Sequence, residues 1–293
     1  MRLCPKPILL VLALLASCSA PPKTWVCYYG REAPPEALQN YGVVVVDSAY
    51  PGQVAALKAK HALALAYVSL GELNTQRAQF AAAQAAGMLL VENPNWPGAW
   101  MVDVRDKRWH AMVIDQQAQP LVAQGYDGLF LDTVDSALHL EATDPAKFAG
   151  MTDGVVALIV ALHERFPQAK LLLNGALPLA GRLRGAVQMV ALESSLTTWD
   201  FATKTPRWRT ADERAWVANR VAEARKANEQ LTIYSLDYWD PRDISGMAAI
   251  YQVQRAAGFV PYVATIALDQ LVAEPPGSPA QEPASTPLFA PRN

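Results

Sequence analysis

Short apolar runs alternate with longer amphipathic stretches along most of the chain. Nine apolar runs predict β-strands, at 25–29, 42–47, 63–71, 100–104, 128–132, 171–175, 188–194, 231–237 and 259–264. Between them, Ala-rich or charged stretches predict helices, most clearly at 52–61, 75–87, 153–167 and 211–230. Strands that are apolar on both faces and separated by amphipathic helices are typical of a parallel sheet covered by helices. The pattern predicts an α/β protein.

The number and spacing of these units favour a closed barrel. Eight strand–helix units in about 250 residues make a (β/α)8 TIM-type barrel, so a single domain is predicted over residues 25–272. Because there are nine candidate strands, one lies outside the ring, and 100–104 or 259–264 is the best candidate. The competing fold, a doubly wound open sheet, needs a Gly-rich phosphate loop after the first strand. The segment WVCYYGREAPPEAL has none.

The two ends of the chain differ from this pattern. Arg2 and Lys6 precede an apolar run at 8–16 that is too short to span a bilayer permanently, so residues 1–17 are predicted to be an export signal. The sequence Leu15-Ala16-Ser17-Cys18 resembles a bacterial lipobox, which predicts a lipid on Cys18, a short tether at 18–24 and attachment to the cell envelope, at the outer membrane in a Gram-negative cell. The alternative is a plain secretory signal. Residues 273–293 are rich in Pro and Ser and predict a disordered tail.

Composition and motifs exclude several kinds of function. The chain is 52% hydrophobic and carries 25 basic against 27 acidic residues, so no basic stripe indicates a nucleic-acid partner. The four histidines lack the spacing of a metal site, and there is no G-x-S-x-G motif. No cofactor is predicted. Cys4 lies in the signal and Cys18 is assigned to lipid, so Cys27 has no partner and is predicted to be a buried thiol.

Polar side chains follow the carboxyl ends of most predicted strands. In a parallel barrel all those ends open on the face where such barrels do their chemistry. The residues are Asp47, Glu72, Asn74, Asp103, Arg105, Asp132, Asp135, Asn174, Glu193, Asp237, Tyr238 and Trp239. Several have a plainer interpretation as helix caps, turn residues or local ion pairs, such as Asp103 with Arg105. Asp132 and Glu193 fit that interpretation least, because each ends an otherwise apolar strand.

Two carboxyl groups facing each other across an aromatic-lined bowl are typical of glycoside hydrolysis. One acid protonates the leaving oxygen and the other attacks the sugar or activates water, while the proximity of like charges raises the pKa of the proton donor. Aromatic faces also stack on sugar rings, although core packing is the alternative for each. Aromatic residues near predicted strand ends are Tyr28, Tyr67, Trp199, Tyr234, Tyr238, Trp239 and Tyr262.

Seven segments in order, LALAYVSLGELN, ENPNWPGAWMVDVRDKRWH, GYDGLFLDTVDS, LLLNG, ALESSL, YSLDY and GFVPYVA, resemble glycoside hydrolase family 114. That family includes endo-α-1,4-polygalactosaminidases and is similar to domains that trim galactosamine-rich biofilm polysaccharides. The resemblance implies a (β/α) barrel, a retaining mechanism and a catalytic pair at Asp132 and Glu193. It leaves their roles unassigned, and we favour Asp132 as nucleophile and Glu193 as acid/base.

The resemblance also implies a sugar pocket, formed by Asp47, Tyr67, Glu72, Asn174 and Asp237. Their strand-end positions add Asp103, Asp135, Tyr234 and Tyr238 as substrate-binding candidates. So many acids would attract the ammonium groups of a deacetylated galactosamine polymer. The expected partners are therefore a polysaccharide and, through Cys18, a membrane. Two alternatives stay open: a carbohydrate-binding envelope lipoprotein without catalysis, and a glycosidase for another α-galactoside.

Overall fold

The computed structural model describes residues 24–276, and the predicted signal, Cys18 and most of the predicted tail lie outside them. The strands are β1 (Trp25–Tyr28), β2 (Val43–Val46), β3 (Leu63–Ser69), β4 (Glu72–Asn74), β5 (Leu89–Glu92), β6 (Ala99–Val102), β7 (Gly128–Asp132), β8 (Lys170–Asn174), β9 (Met189–Glu193), β10 (Thr197–Asp200), β11 (Thr205–Trp208), β12 (Thr232–Tyr238) and β13 (Val260–Ala264).

The helices are α1 (Pro35–Leu38), α2 (Val54–Leu57), α3 (Phe80–Ala85), α4 (Lys107–Ala111), α5 (Gln119–Ala123), α6 (Val134–Thr143), α7 (Met151–Arg165), α8 (Ala211–Ala227) and α9 (Ile244–Ala256). A π-helical segment, Met112–Ala118, joins α4 to α5, and Leu177–Leu179 form a short 3₁₀ turn. No helix within residues 24–276 is long and apolar enough to cross a membrane.

Eight parallel strands form the barrel in the order β1-β2-β3-β7-β8-β9-β12-β13. The ring closes between its first and last strands through Trp25, which packs edge-on against Tyr234 and Tyr262 at 5.6 and 6.3 Å between ring centroids. The Trp25 indole nitrogen donates a hydrogen bond to the Ser235 carbonyl at 3.2 Å. The predicted α/β class and the (β/α)8 TIM-type barrel are confirmed.

One of the nine apolar runs lies outside the ring, as the strand count requires. Residues 100–104 contribute to β6, which pairs antiparallel with β4 and β5 in a separate three-stranded sheet. Residues 259–264 form β13, a barrel strand. A second insertion follows β9, where β10 and β11 pair as an antiparallel hairpin. Both insertions leave the barrel at the carboxyl ends of strands, on the face predicted to carry the chemistry.

Local sequence explains which predicted helices are long. The buried face of α7 repeats at helical spacing through Val155, Leu158, Ile159 and Leu162. Helix α8 begins with a reciprocal capping box between Thr210 and Glu213. The stretch predicted at 52–61 forms only the single turn of α2, because only two of its residues are buried. Cys27 is fully buried in β1, and burial raises the pKa of its thiol.

Candidate active site

The carboxyl ends of three adjacent barrel strands form the floor of one cavity of about 1150 Å³. Asp132 ends β7, Asn174 ends β8 and Glu193 ends β9. These strands are hydrogen-bonded neighbours, in register at Leu131 with Leu173 and at Asn174 with Ala191. The sheet therefore places the Asp, Asn and Glu side by side, although Asp132 and Glu193 lie 61 residues apart in sequence.

The Asn174 side chain connects the two acids. Its Nδ2 donates to Asp132 Oδ1 at 2.8 Å and to Glu193 Oε2 at 2.9 Å. Those two oxygens therefore lie at most about 5.7 Å apart, the sum of the two hydrogen-bond lengths. The other oxygen of Glu193 accepts a short hydrogen bond from the Tyr238 hydroxyl. Both acids are fixed by donors that come from neighbouring strands.

The surroundings of Glu193 raise the pKa of its carboxyl group. The Glu193 side chain is open to the cavity, but the cavity walls surround its carboxyl group and limit hydration of that group. Limited hydration disfavours the charged form and raises the pKa of Glu193. The negative charge of Asp132 raises that pKa further. Burial also raises the pKa of Tyr238 and Tyr67 well above the ordinary value, so both phenols stay protonated near neutral pH and act as hydrogen-bond donors. The site thus favours a protonated Glu193.

The backbone is strained directly after these side chains. Thr133 follows Asp132 with φ at 59°, and Ser194 follows Glu193 with φ at 56°. Non-glycine residues adopt this left-handed region rarely, and it is found often at active sites. The Thr133 hydroxyl holds the first of these turns by bonding to the Ser69 hydroxyl at 2.7 Å. The left-handed residue therefore turns the chain out of the barrel strand directly after each acid.

A second set of predicted residues lies around this pair. Asp47, Tyr67, Glu72 and Asp135 all line the cavity, as does Tyr238. The Asp135 carboxylate accepts from the Ala176 backbone at 3.0 Å, and burial raises its pKa. A Cβ on Gly175, whose φ is +65°, would lie 2.1 Å from that carboxylate, so glycine is required there.

Two of these acids are held by specific partners. Asp47 forms an ion pair with Arg77 at 2.6 Å, and the Arg77 guanidinium lies 5.8 Å from the centroid of the Tyr67 ring. Glu72 is only 6% exposed, and its Oε1 accepts from Asn93 at 2.9 Å and Ser136 at 2.6 Å. The cavity is therefore acidic, but two of its acids, Asp47 and Glu72, have partners within the protein.

Three predicted substrate-binding residues do not line the cavity: Asp103, Tyr234 and Asp237. Asp103 forms a forked ion pair with Arg105, with both contacts at 2.8 Å, as the plainer interpretation of that pair expected. Tyr234 is buried beside Trp25, deeper in the barrel, and burial raises its pKa to about 12. The Asp103 side chain therefore serves ion pairing, and the Tyr234 side chain serves core packing.

Asp237 points away from the cavity because side chains alternate along β12. Its neighbour Tyr238 faces the cavity, so Asp237 faces the outer layer. It is fully buried and accepts from the backbone nitrogens of Leu196 and Thr197, both at 2.8 Å, and from the Gln254 side chain. Burial raises its pKa. The carboxylate thus fixes the base of the β10–β11 hairpin.

We expect Asp237→Ala to lower the free energy of unfolding by at least about 3 kcal/mol, because it leaves two buried backbone N–H groups without an acceptor. Chemical denaturation measures the effect. Asp240→Ala is the matched control: Asp240 is 40% exposed in its pair with Arg242, and its loss should leave the denaturation midpoint close to that of the parent. A stable Asp237→Ala protein with weakened substrate binding would instead support the sequence-based assignment of Asp237 to the sugar pocket.

Several cavity residues were not among the sequence candidates. They are Tyr29, Arg31, Arg77, Asn93, Trp96, Thr133 and Ser136. Asn93 and Trp96 lie in the segment NPNWPG, whose Asn, Pro and Gly are typical of a tight turn. A turn of this composition that carries a Trp is the sequence feature that indicates Asn93 and Trp96 as candidates. No comparable signal marked Arg77, which was assigned to a predicted helix but precedes α3. Within residues 24–276, no three His, Cys, Asp or Glu side chains are grouped to hold a metal ion.

A (β/α)8 barrel with an Asp and a Glu fixed side by side at its carboxyl face is an arrangement that glycosidases use. The chain belongs to glycoside-hydrolase family GH114, whose sequence model matches residues 13–278. The resemblance read from the seven segments is confirmed. The protein is therefore a glycoside hydrolase.

Solved structures and one relative are similar to this chain. The glycoside hydrolase domain of PelA from Pseudomonas aeruginosa is 28% identical, with a TM-score of 0.77 over 86% of this chain and 98% of that one. Ega3 from Aspergillus fumigatus, solved in complex with galactosamine, is 15% identical, with a TM-score of 0.64 over 86% and 94% of the chains, and supports the fold alone. An uncharacterized protein of Deinococcus radiodurans is 25% identical over 92% of this chain and its own full length.

Proposed function

We propose that the protein is a retaining endo-glycosidase that hydrolyses an α-1,4-linked galactosamine-containing polysaccharide of a biofilm or cell envelope. The observation that carries the mechanism is the Asn174 amide, which holds Asp132 and Glu193 together. Retaining glycosidases place their carboxyl groups about 5 to 5.5 Å apart, whereas inverting enzymes leave about 6.5 to 9.5 Å for a water molecule. A limit of about 5.7 Å between the two bonded oxygens supports retention.

The environment of Glu193 supports the roles we propose for the two acids. In the first step, Asp132 attacks the anomeric carbon, the glycosidic C–O bond breaks, and the Glu193 proton passes to the departing oxygen. In the second step, Glu193 takes a proton from water, whose oxygen attacks the same carbon and releases Asp132. The raised pKa of Glu193 suits a proton donor. The first step ionises Glu193, and Tyr238 donates to the resulting carboxylate.

The size and charge of the cavity support an internal site on an amino-sugar polymer. At about 1150 Å³ it exceeds the roughly 300 to 1,000 Å³ of ordinary small-molecule pockets, which leaves room for sugar units on both sides of the cleaved bond. Its lining includes the carboxyl groups of Asp47, Glu72, Asp132, Asp135 and Glu193, against the cations of Arg31 and Arg77. This excess of acid would attract the ammonium groups of deacetylated galactosamine. Ega3, a structural neighbour, binds galactosamine.

Export and lipid attachment are part of the proposal. They rest on Arg2, Lys6, the apolar run at 8–16 and the lipobox-like sequence ending at Cys18. A polysaccharide outside the cell would be reached by an enzyme held on the envelope. One acyl chain binds membranes only marginally, so stable attachment requires more than one.

Reducing-end release by the soluble mature chain tests the activity. We expect cleavage of partially deacetylated α-1,4-galactosamine polymer, with a broad distribution of product sizes early in the reaction and rates that fall as salt rises. The fully N-acetylated polymer is the matched uncharged substrate and should be cleaved more slowly, with little salt dependence. Binding without cleavage would favour a carbohydrate-binding lipoprotein. Cleavage of simple α-galactosides in place of the polymer would reassign the substrate.

A further inference from the structure

Two exposed aromatic rings meet beside the cavity. Trp96 lies in the turn between β5 and β6, and Phe201 lies in the turn between β10 and β11. Their ring centroids are 5.8 Å apart and the rings are nearly perpendicular, at 88°. Trp96 is 49% exposed and Phe201 is 45% exposed, although both are large and apolar. Trp96 also lines the cavity that contains Asp132 and Glu193.

The turn that carries Trp96 is fixed to the cavity wall. The Asn93 carbonyl accepts from the Trp96 nitrogen at 3.2 Å, and the Asn93 side chain accepts from the Asn95 nitrogen at 3.0 Å. The amide of the same side chain donates to the buried Glu72 carboxylate. Glu92 closes the other side of the turn by accepting from the Gly98 nitrogen at 2.7 Å. The indole is therefore presented by a rigid turn.

The turn that carries Phe201 is similarly fixed. Asp200 Oδ1 accepts from the backbone nitrogens of Ala202 and Thr203 at 2.8 and 3.1 Å. The base of the same hairpin is held by the buried Asp237 carboxylate. Two insertions that leave the barrel after different strands thus meet through one aromatic contact. Both rings are exposed to solvent, yet both are carried by turns that hydrogen bonds hold in place. This combination suggests a function beyond packing.

We infer that Trp96 and Phe201 form an outer subsite, at which a sugar unit of the bound polysaccharide, away from the cleaved bond, stacks on the indole. This inference rests on the proposed function and adds a substrate contact outside the catalytic pair. The C–H groups of a sugar pack against an aromatic face, and the ammonium group of an amino sugar is attracted to the same π-face. Phe201 packs against the indole with its ring nearly perpendicular. Because the turn is already ordered, little conformational entropy is lost on binding.

Binding of galactosamine oligosaccharides of increasing length tests the subsite. In calorimetric titrations with the intact mature chain carrying Asp132→Asn, which prevents cleavage of the ligand, adding Trp96→Ala should weaken binding of long oligosaccharides by about tenfold and leave disaccharide binding unchanged. Phe201→Ala should have a smaller effect in the same direction. Trp216→Ala is the matched control, because Trp216 is 59% exposed on α8 and does not line the cavity. It should bind every length as the parent does.

The outcomes separate this inference from the proposed function. If the parent binds long oligosaccharides more tightly than short ones and Trp96→Ala removes that difference, the outer subsite is supported. If the parent binds and cleaves the polymer and Trp96→Ala matches it at every length, the subsite is wrong and the proposed function stands. If the parent binds no galactosamine oligosaccharide at any length, the proposed function fails and the inference fails with it.

Discussion

The Asp132→Asn variant is expected to lose on the order of 10⁴-fold or more of the parent kcat on the polysaccharide. An amide oxygen of the same shape does not form a stable bond to the anomeric carbon, so the covalent step fails. The Asn174 hydrogen bond survives, because the new side chain keeps an oxygen acceptor at the position of Oδ1. Reducing-end release measures the loss. The ¹H NMR spectrum of the first products of the parent measures the anomeric configuration, which should be retained.

The same variant tests the electrostatic relation between the acids. The charge of Asp132 raises the pKa of Glu193, so its removal should lower that pKa, measurable by ¹³C NMR of the Glu193 carboxyl group. Asp153→Asn is the matched control: Asp153 is 77% exposed in its pair with Arg182 and lies outside the cavity. It should leave kcat unchanged. An Asp132→Asn enzyme with near-parental activity, or inversion of configuration by the parent, would remove Asp132 from the nucleophile role.

Where a predicted strand was entirely apolar, its end in the sequence correctly predicted a side chain that faces the cavity. The final residues of β7, β8 and β9, which are Asp132, Asn174 and Glu193, all face the cavity. Parallel pairing explains the success, because adjacent strands that end together place their last side chains together. The barrel itself followed from the same regularity of apolar strands and amphipathic helices.

The same rule failed where a one-residue shift decides which face a side chain occupies. Asp237 and Tyr238 are adjacent at the end of β12, yet only Tyr238 reaches the cavity. Sequence alone did not fix where the strand ends, so it did not fix the alternation. Asp103 failed for another reason. It follows β6, a strand of the inserted sheet and not of the barrel. Arg105, two residues later, forms an ion pair with it. Contacts between insertions, such as that of Trp96 with Phe201, depend on loop geometry that no periodic pattern encodes.

Glutamine at position 193 should change the pH profile as well as the rate. We expect Glu193→Gln to lower kcat on the polysaccharide by about 10² to 10⁴-fold, because the leaving oxygen then departs without a proton. A raised pKa keeps Glu193 protonated to higher pH, and the parent should lose activity as pH rises through that pKa. Glutamine does not titrate, so this alkaline decline should disappear from kcat/KM. Formation of the covalent intermediate should be far less impaired on an aryl galactosaminide whose leaving group needs no protonation.

Tyr238→Phe is the matched variant that keeps the Glu193 carboxyl group and changes only its pKa. The Tyr238 hydroxyl donates to the Glu193 carboxylate and lowers its pKa, so its removal should raise that pKa further. The alkaline limb of kcat/KM should then move to higher pH while most of the proton-donor function remains, because Glu193 itself is intact. A profile that moves to lower pH, or a Glu193→Gln enzyme that keeps its alkaline limb, would mean that another group supplies the proton. The neighbouring cavity acid with a raised pKa is Asp135, and Asp135→Asn would then be the variant that removes the limb.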